Sequence, residues 1–181
     1  FSGCESLESV SIPDGITAIK EGLFNGCTSL KSVEIPQSVS SIEAKAFKNC
    51  KNLAQISIPA AVKEIGDSAL YNCQSIETLY IPQNVATIGS NALDGMDKCS
   101  GFYVNYQNSN YKGDNGVLFT KNGIVLVKYP DAKTDKEYTI PESTRVLIFN
   151  MQSFQNCSNL EKVNVPVNMA NNLAFPGCNA L

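Results

Sequence analysis

The stretch Cys27-Thr28-Ser29-Leu30-Lys31-Ser32-Val33-Glu34-Ile35-Pro36 decides the fold, because it returns 23 residues later as Cys50-Lys51-Asn52-Leu53-Ala54-Gln55-Ile56-Ser57-Ile58-Pro59. It returns again as Cys73-Gln74-Ser75-Ile76-Glu77-Thr78-Leu79-Tyr80-Ile81-Pro82. In Ser32-Val33-Glu34-Ile35 polar and apolar residues alternate strictly, the pattern of a short strand with one buried face. The proline that follows has no amide hydrogen and ends the strand.

Working outward, the same 23-residue spacing governs further columns. Phe1, Phe24, Phe47, Leu70 and Leu93 make one; Ile16, Val39, Val62 and Val85 another; Ile19, Ile42, Ile65 and Ile88 a third. A fixed period carried by so many columns marks a repeat architecture. The residue before each column cysteine is Gly or Asn: Gly3, Gly26, Asn49, Asn72, Asn156 and Gly177, with Gly95 before Met96. These types enter left-handed backbone geometry most easily, so positive φ is expected there in every unit. The segment from Ala44 to Asn49 reads as a short helical turn with Phe47 directed inward. One such unit cannot bury its apolar side alone, whereas stacked copies share a continuous interior. The expected fold is a right-handed, β-rich repeat solenoid with short helical turns and a parallel sheet on one face.

The regular repeats cover residues 1–105, and Asn105 stands where the next proline is due. Residues 106–136 read as a loop and β-hairpin projecting from the stack. Val117-Leu118-Phe119-Thr120 and Ile124-Val125-Leu126-Val127 are its strands, joined through Lys121-Asn122-Gly123, since Asn-Gly favours tight hairpin turns. Irregular repeats resume over 137–181. A single solenoid over 1–181 is expected. The chain starts without Met and inside a repeat, which reads as a portion of a longer protein.

The Cys-x-Ser/Asn-Leu-x-x-Val-x-Ile-Pro units and the Ile-Gly-x-x-Ala-Leu segments at 65–70 and 88–93 resemble the treponemal-type, or BspA-like, leucine-rich repeat. Asp114-Asn115-Gly116-Val117-Leu118-Phe119, Tyr129-Pro130 and Tyr138-Thr139-Ile140-Pro141 share the likeness. The resemblance implies a leucine-rich-repeat coil in a cell-surface or secreted protein, often an adhesin toward host matrix proteins or other cells. It carries no catalytic residues to transfer.

The chain has no His, which removes the commonest general base and metal ligand. No catalytic, cofactor or metal site is expected. The six column cysteines, Cys4, Cys27, Cys50, Cys73, Cys157 and Cys178, cannot converge tetrahedrally on zinc, and no Cys-x-x-Cys exists. They read as reduced core thiols, with Cys99 in the leucine column; a disulfide between stacked units stays open. Asp94, Asp97, Asp131 and Asp135 read as solvated loop charges. Arg145 is the only arginine and the net charge is -3, so no basic stripe for nucleic acid exists. No apolar run approaches the ~20 residues of a membrane span.

The outward strand residues form the candidate protein-binding face: Ser9, Ser11, Ser32, Glu34 and Gln55, then Ser57, Thr78, Tyr80, Lys162 and Asn164. Alternation puts them on one side of the strands. Tyr106 and Tyr111 are candidate contacts in the hairpin region, while Tyr129 and Tyr138 read as packing residues. The partner expected is a host or cell-surface protein or glycan. Two other roles remain open: a structural spacer, and a non-catalytic region of a larger surface enzyme.

Overall fold

A computed structural model of the chain describes residues 1–147, 153–169 and 175–181. Each alternating run forms a short strand: β1 (Ser9–Ser11), β3 (Ser32–Glu34), β5 (Gln55–Ser57), β7 (Thr78–Ile81) and β9 (Gly101–Val104). The pairs β1–β3, β3–β5 and β7–β9 are parallel, and Val33 lies level with Val10 on one side and Ile56 on the other. That register keeps like residues stacked, so the apolar side chains of every coil meet inside. Phe24, Phe47, Leu30, Leu53, Ile42 and Ile65 are fully buried there.

Past each proline a two-residue strand forms a second parallel ladder: β2 (Ala18–Ile19), β4 (Ser41–Ile42), β6 (Glu64–Ile65) and β8 (Thr87–Ile88). The segment expected to be helical is instead a run of turns with positive φ at Lys45 and Asn49 (58° and 62°). Its backbone explains why. Ala46, Lys48 and Cys50 donate back three residues, to Glu43, Lys45 and Phe47. Lys45, Phe47 and Asn49 instead donate 2.8–2.9 Å bonds to Asp67, Ala69 and Tyr71 in the next coil. An α-helix would direct those three amides into itself, whereas this arrangement makes the turns a third seam between coils. All seven expected left-handed positions have positive φ, from Gly3 to Gly177.

The cysteine column is buried from Cys27 onward, and all seven cysteines are free thiols. Cys50 donates its S–H to the Phe24 carbonyl at 3.1 Å, and Cys73 to the Phe47 carbonyl at 3.2 Å. A small apolar side chain with one weak donor therefore suits this place, and at Cys27, Cys50, Cys73 and Cys178 it binds a coil to the one before it. Burial pushes the Cys50 thiol up to about 12 and Cys73 well above its ordinary value, so neither supplies thiolate.

The middle of the chain differs from expectation in its attachment. Lys121-Asn122-Gly123 does join antiparallel β11 (Val117–Thr120) to β12 (Val125–Lys128), but β10 (Tyr111–Asp114) precedes them and pairs with β11 around Asn115-Gly116. The sheet does not project. Strand β14 (Val146–Leu147) pairs parallel with β12. Leu118 and Val127 join the interior of the regular coils, while Val117, Phe119 and Leu126 join a second apolar cluster with Ile140, Phe154 and Leu160. Both faces of these strands carry large apolar residues, so both must be covered. Tyr129 is buried at 0% exposure against Phe154 and Tyr138, with ring centroids 5.2 and 4.9 Å away. Strands β13 (Glu137–Thr139) and β15 (Lys162–Asn164) then restore parallel pairing, followed by a 3-10 turn at Val167–Met169.

Phe47→Ala should cost about 3–5 kcal/mol in urea unfolding, as a large core truncation. Ser57→Ala on the outer side should be close to neutral; equal small effects would refute the assigned register. Titrating native protein with a thiol reagent should modify Cys4, the one exposed cysteine, and unfolding should release the other six. Rapid modification of several thiols in the native state would contradict the buried column.

Candidate functional site

The outward residues of β1, β3, β5, β7 and β9 form two rows across the strands. Ser9, Ser32, Gln55, Thr78 and Gly101 occupy one; Ser11, Glu34, Ser57, Tyr80 and Tyr103 occupy the other. All the predicted members of these rows are exposed. Strands β5 and β7 belong to separate ladders. Over the seam between them lies a hollow of about 660 Å³, lined by Ser32, Glu34, Gln55, Ser57, Glu77, Thr78 and Tyr80. Rigid strands hold these groups in fixed relation, so a ligand meets a surface whose ordering cost is already met by the fold.

Lys162 and Asn164 do not join this group. They sit on β15 beyond the inserted sheet, where Lys162 and Asn164 both donate to Glu137, and Asn164 also to Thr139. Tyr106 is 84% exposed, whereas Tyr111 is a core residue rather than a surface contact. Its hydroxyl accepts the Ile88 amide at 3.1 Å, one period away in sequence. Asn108 behaves likewise. It stands one period after Val85, is fully buried, donates to the carbonyls of Pro82 and Val85, and accepts from the amides of Asn110 and Tyr111. Tyr103, absent from the predicted face, is 54% exposed beside the 52% exposed Tyr80. It continues the Tyr80 column by one period, which was the available signal.

The sequence matches the model of the BspA type leucine-rich repeat region, in six copies, over residues 1–115 and 133–181. The chain belongs to this leucine-rich repeat family. Among solved structures, the repeat chain is similar to a leucine-rich repeat protein from Eubacterium ventriosum, with 23% identity and a TM-score of 0.66 over 97% of this chain and 65% of that one. It is also similar to a leucine rich cell surface protein from Faecalibacterium prausnitzii, with 24% identity and a TM-score of 0.62 over 100% of this chain and 48% of that one. A leucine-rich repeat protein of T. pallidum gives 24% identity and a TM-score of 0.59, over 100% of this chain and 68% of that one. The leucine-rich repeat chain thus spans less than two thirds of the first two. No curated protein matches it.

The carboxylates of the leucine-rich repeat chain are not all solvated. Asp94 and Asp131 are buried, at 5% and 3% exposure, around an equally buried Lys128. The Lys128 Nζ lies 3.0 Å from Asp131 Oδ1 and 3.4 Å from Asp94 Oδ1. Asp94 belongs to the regular coils, and Lys128 and Asp131 to the inserted sheet and its exit, so the cluster fastens the two together. A void of about 30 Å³ adjoins it. Burial pushes the Asp131 carboxyl up to about 6 and raises Asp94 too, although Lys128 opposes both shifts. Burial acts to lower the Lys128 ammonium, but Asp131 and Asp94 outweigh it and hold it above the usual lysine value. Among the described residues no group of three or more potential metal ligands converges.

The linkage has a definite sign. A carboxyl whose folded pKa exceeds its unfolded one binds its proton first in the folded state. This site therefore adds stability as pH falls from about 6 towards about 4. Glu8, Glu43 and Glu137, held low by hydrogen bonds from Lys31, Lys20 and Lys162, act in the opposite sense, as pH falls below about 4. Lys128→Met leaves two buried carboxylates without a counter-charge and should cost about 3–5 kcal/mol at neutral pH. Urea unfolding at about pH 5 should show a smaller deficit, because Asp131 takes up its proton below about 6 and burial raises Asp94 in the same direction. A deficit that grows on acidification would contradict this account.

Proposed function

We propose that this chain is a non-catalytic binding module of a cell-surface or secreted protein, and that it engages a partner protein or glycan through the outward rows of β1 to β9. The observation that carries the reading is the 660 Å³ hollow over the β5–β7 seam, where hydroxyl, amide, carboxylate and phenol groups converge on a preorganised surface. The surface location draws support from the family and from the fold shared with a protein named for the cell surface. Recognition rests on shape and hydrogen bonding over a rigid area, with Tyr80 as the large anchor.

The test replaces Ser32, Glu34, Gln55, Ser57 and Tyr80 together with alanine. Wild-type chain is applied to immobilised extracellular-matrix proteins and to fixed epithelial and bacterial cells. The expected outcome is binding that the five-residue variant loses while its melting temperature stays within a few degrees of wild type. Binding that survives the substitutions would move the contact to another face. Wild-type chain that binds none of these probes would favour a spacer role.

A further inference from the structure

Tyr80 and Tyr103 are register partners on adjacent parallel strands, and each is about half exposed on the same side. Tyr103 has an unusual seat. Gly101 lies two residues before it on β9, and a Cβ placed there would meet the Tyr103 ring at 3.1–3.2 Å. The ring thus lies back along its own strand, across the space a side chain would fill. Thr78 precedes Tyr80 at the equivalent place, so this vacancy is particular to β9. Tyr80 lines the 660 Å³ hollow, and Tyr103 lines a second one of about 290 Å³ with Ser100, Gly113, Asn115, Gly116 and Lys133.

The chemistry around the rings narrows the ligand. Apart from Tyr80 and the small apolar floor of Val33, Ala54 and Ile56, the side chains of the larger hollow are hydroxyls, an amide and the carboxylates of Glu34 and Glu77. The smaller hollow contains one cation, Lys133, and its ammonium is 3.1 Å from Asp135 Oδ2. An anionic ligand would meet repulsion on one side and an occupied lysine on the other. An apolar helix would find no pocket for its anchors. A sugar ring offers what remains: a C–H face that packs on an aromatic face, and a rim of hydroxyls that pair with carboxylate, amide and hydroxyl groups.

We propose that Tyr80 and Tyr103 form a stacking platform for an uncharged oligosaccharide that extends across the two hollows. The proposal rests on the strand face being the binding face and names its ligand class. Gly101 is the specificity feature, since a side chain there would crowd the place the Tyr103 ring occupies.

The probes are neutral oligosaccharides of glucose, mannose and N-acetylglucosamine, with sialyl-lactose as the charged control, read by saturation-transfer NMR and calorimetry. At least one neutral probe should bind, and sialyl-lactose should bind more weakly. Tyr80→Ala and Tyr103→Ala should each weaken binding about tenfold, whereas Tyr103→Phe should keep most of it. Gly101→Ala has no positive φ to strain, and the nearest atoms it meets belong to the movable Tyr103 side chain, so it should lower affinity like Tyr103→Ala at unchanged melting temperature. Saccharide binding that ignores Gly101→Ala and Tyr103→Ala would overturn the platform, as would preference for sialyl-lactose. If no neutral probe binds but a protein or cell does, and the five-residue variant loses it, the sugar assignment falls and the binding face stands. If nothing binds the strand face at all, both fall.

Discussion

A coil of 23 residues has too little interior of its own, and every stabilising feature of this chain answers that shortage. Val33 needs Val10 and Ile56 above and below it; Phe47 stacks on Phe24 at 5.3 Å. The backbone obeys the same rule, since amides along all three sides of the coil seek acceptors one period away. Burial and hydrogen bonding therefore share one translation. A residue is acceptable at a position only if its copy one coil along is acceptable too, which is why the sequence repeats as it does.

The inserted sheet tests that rule, because antiparallel strands do not continue a parallel stack. The chain keeps the period as long as it can. Asn108 fills the Val85 place by satisfying backbone groups with its amide, and Tyr111 reaches the Ile88 amide with its hydroxyl. After that the sheet covers the open end of the coils with Leu118 and Val127, and offers its other apolar face to the coils that follow. The Asp94–Lys128–Asp131 cluster sits at this junction. Buried ion pairs add little net stability over an apolar filling, but a mispaired one is costly. Its value here is in fixing how the insertion seats, since a slipped sheet would strand the charges.

Much of this was legible because it depends on local pattern. Alternation at Val33 and Ile56 gave the strands, the Gly and Asn column gave the left-handed positions, and Asn122-Gly123 gave one hairpin. The two-residue strands such as Ser41–Ile42 were invisible, since alternation needs more residues to register. The turns around Lys45 looked helical because their inter-coil bonds leave no mark in composition. Tyr111 and Asn108 were readable by counting one more period, but the change of residue type hid them. Burial of Asp94 and Asp131 had no local signal at all. It is decided by Lys128, a cation 34 residues after Asp94, and by how the insertion seats. On the face, the strand alternation placed Ser32 to Tyr80 together, while Lys162 and Asn164 were separated by an insertion whose seating the period does not specify.

The sulfur column has a consequence for ageing. Each thiol is shielded only while its coil and the preceding one remain in contact, so an oxidant finds whichever coil has lifted away. A sulfenic or sulfinic group formed there is bulkier and more polar than the thiol, and it no longer fits against the phenylalanine carbonyl of the preceding coil. The lifted coil cannot close again, its neighbour loses a covering surface, and the next sulfur is uncovered. Chemical injury in such a stack would travel like an unzipping, one coil at a time, and the distribution of oxidised sulfur along the chain would record where it began.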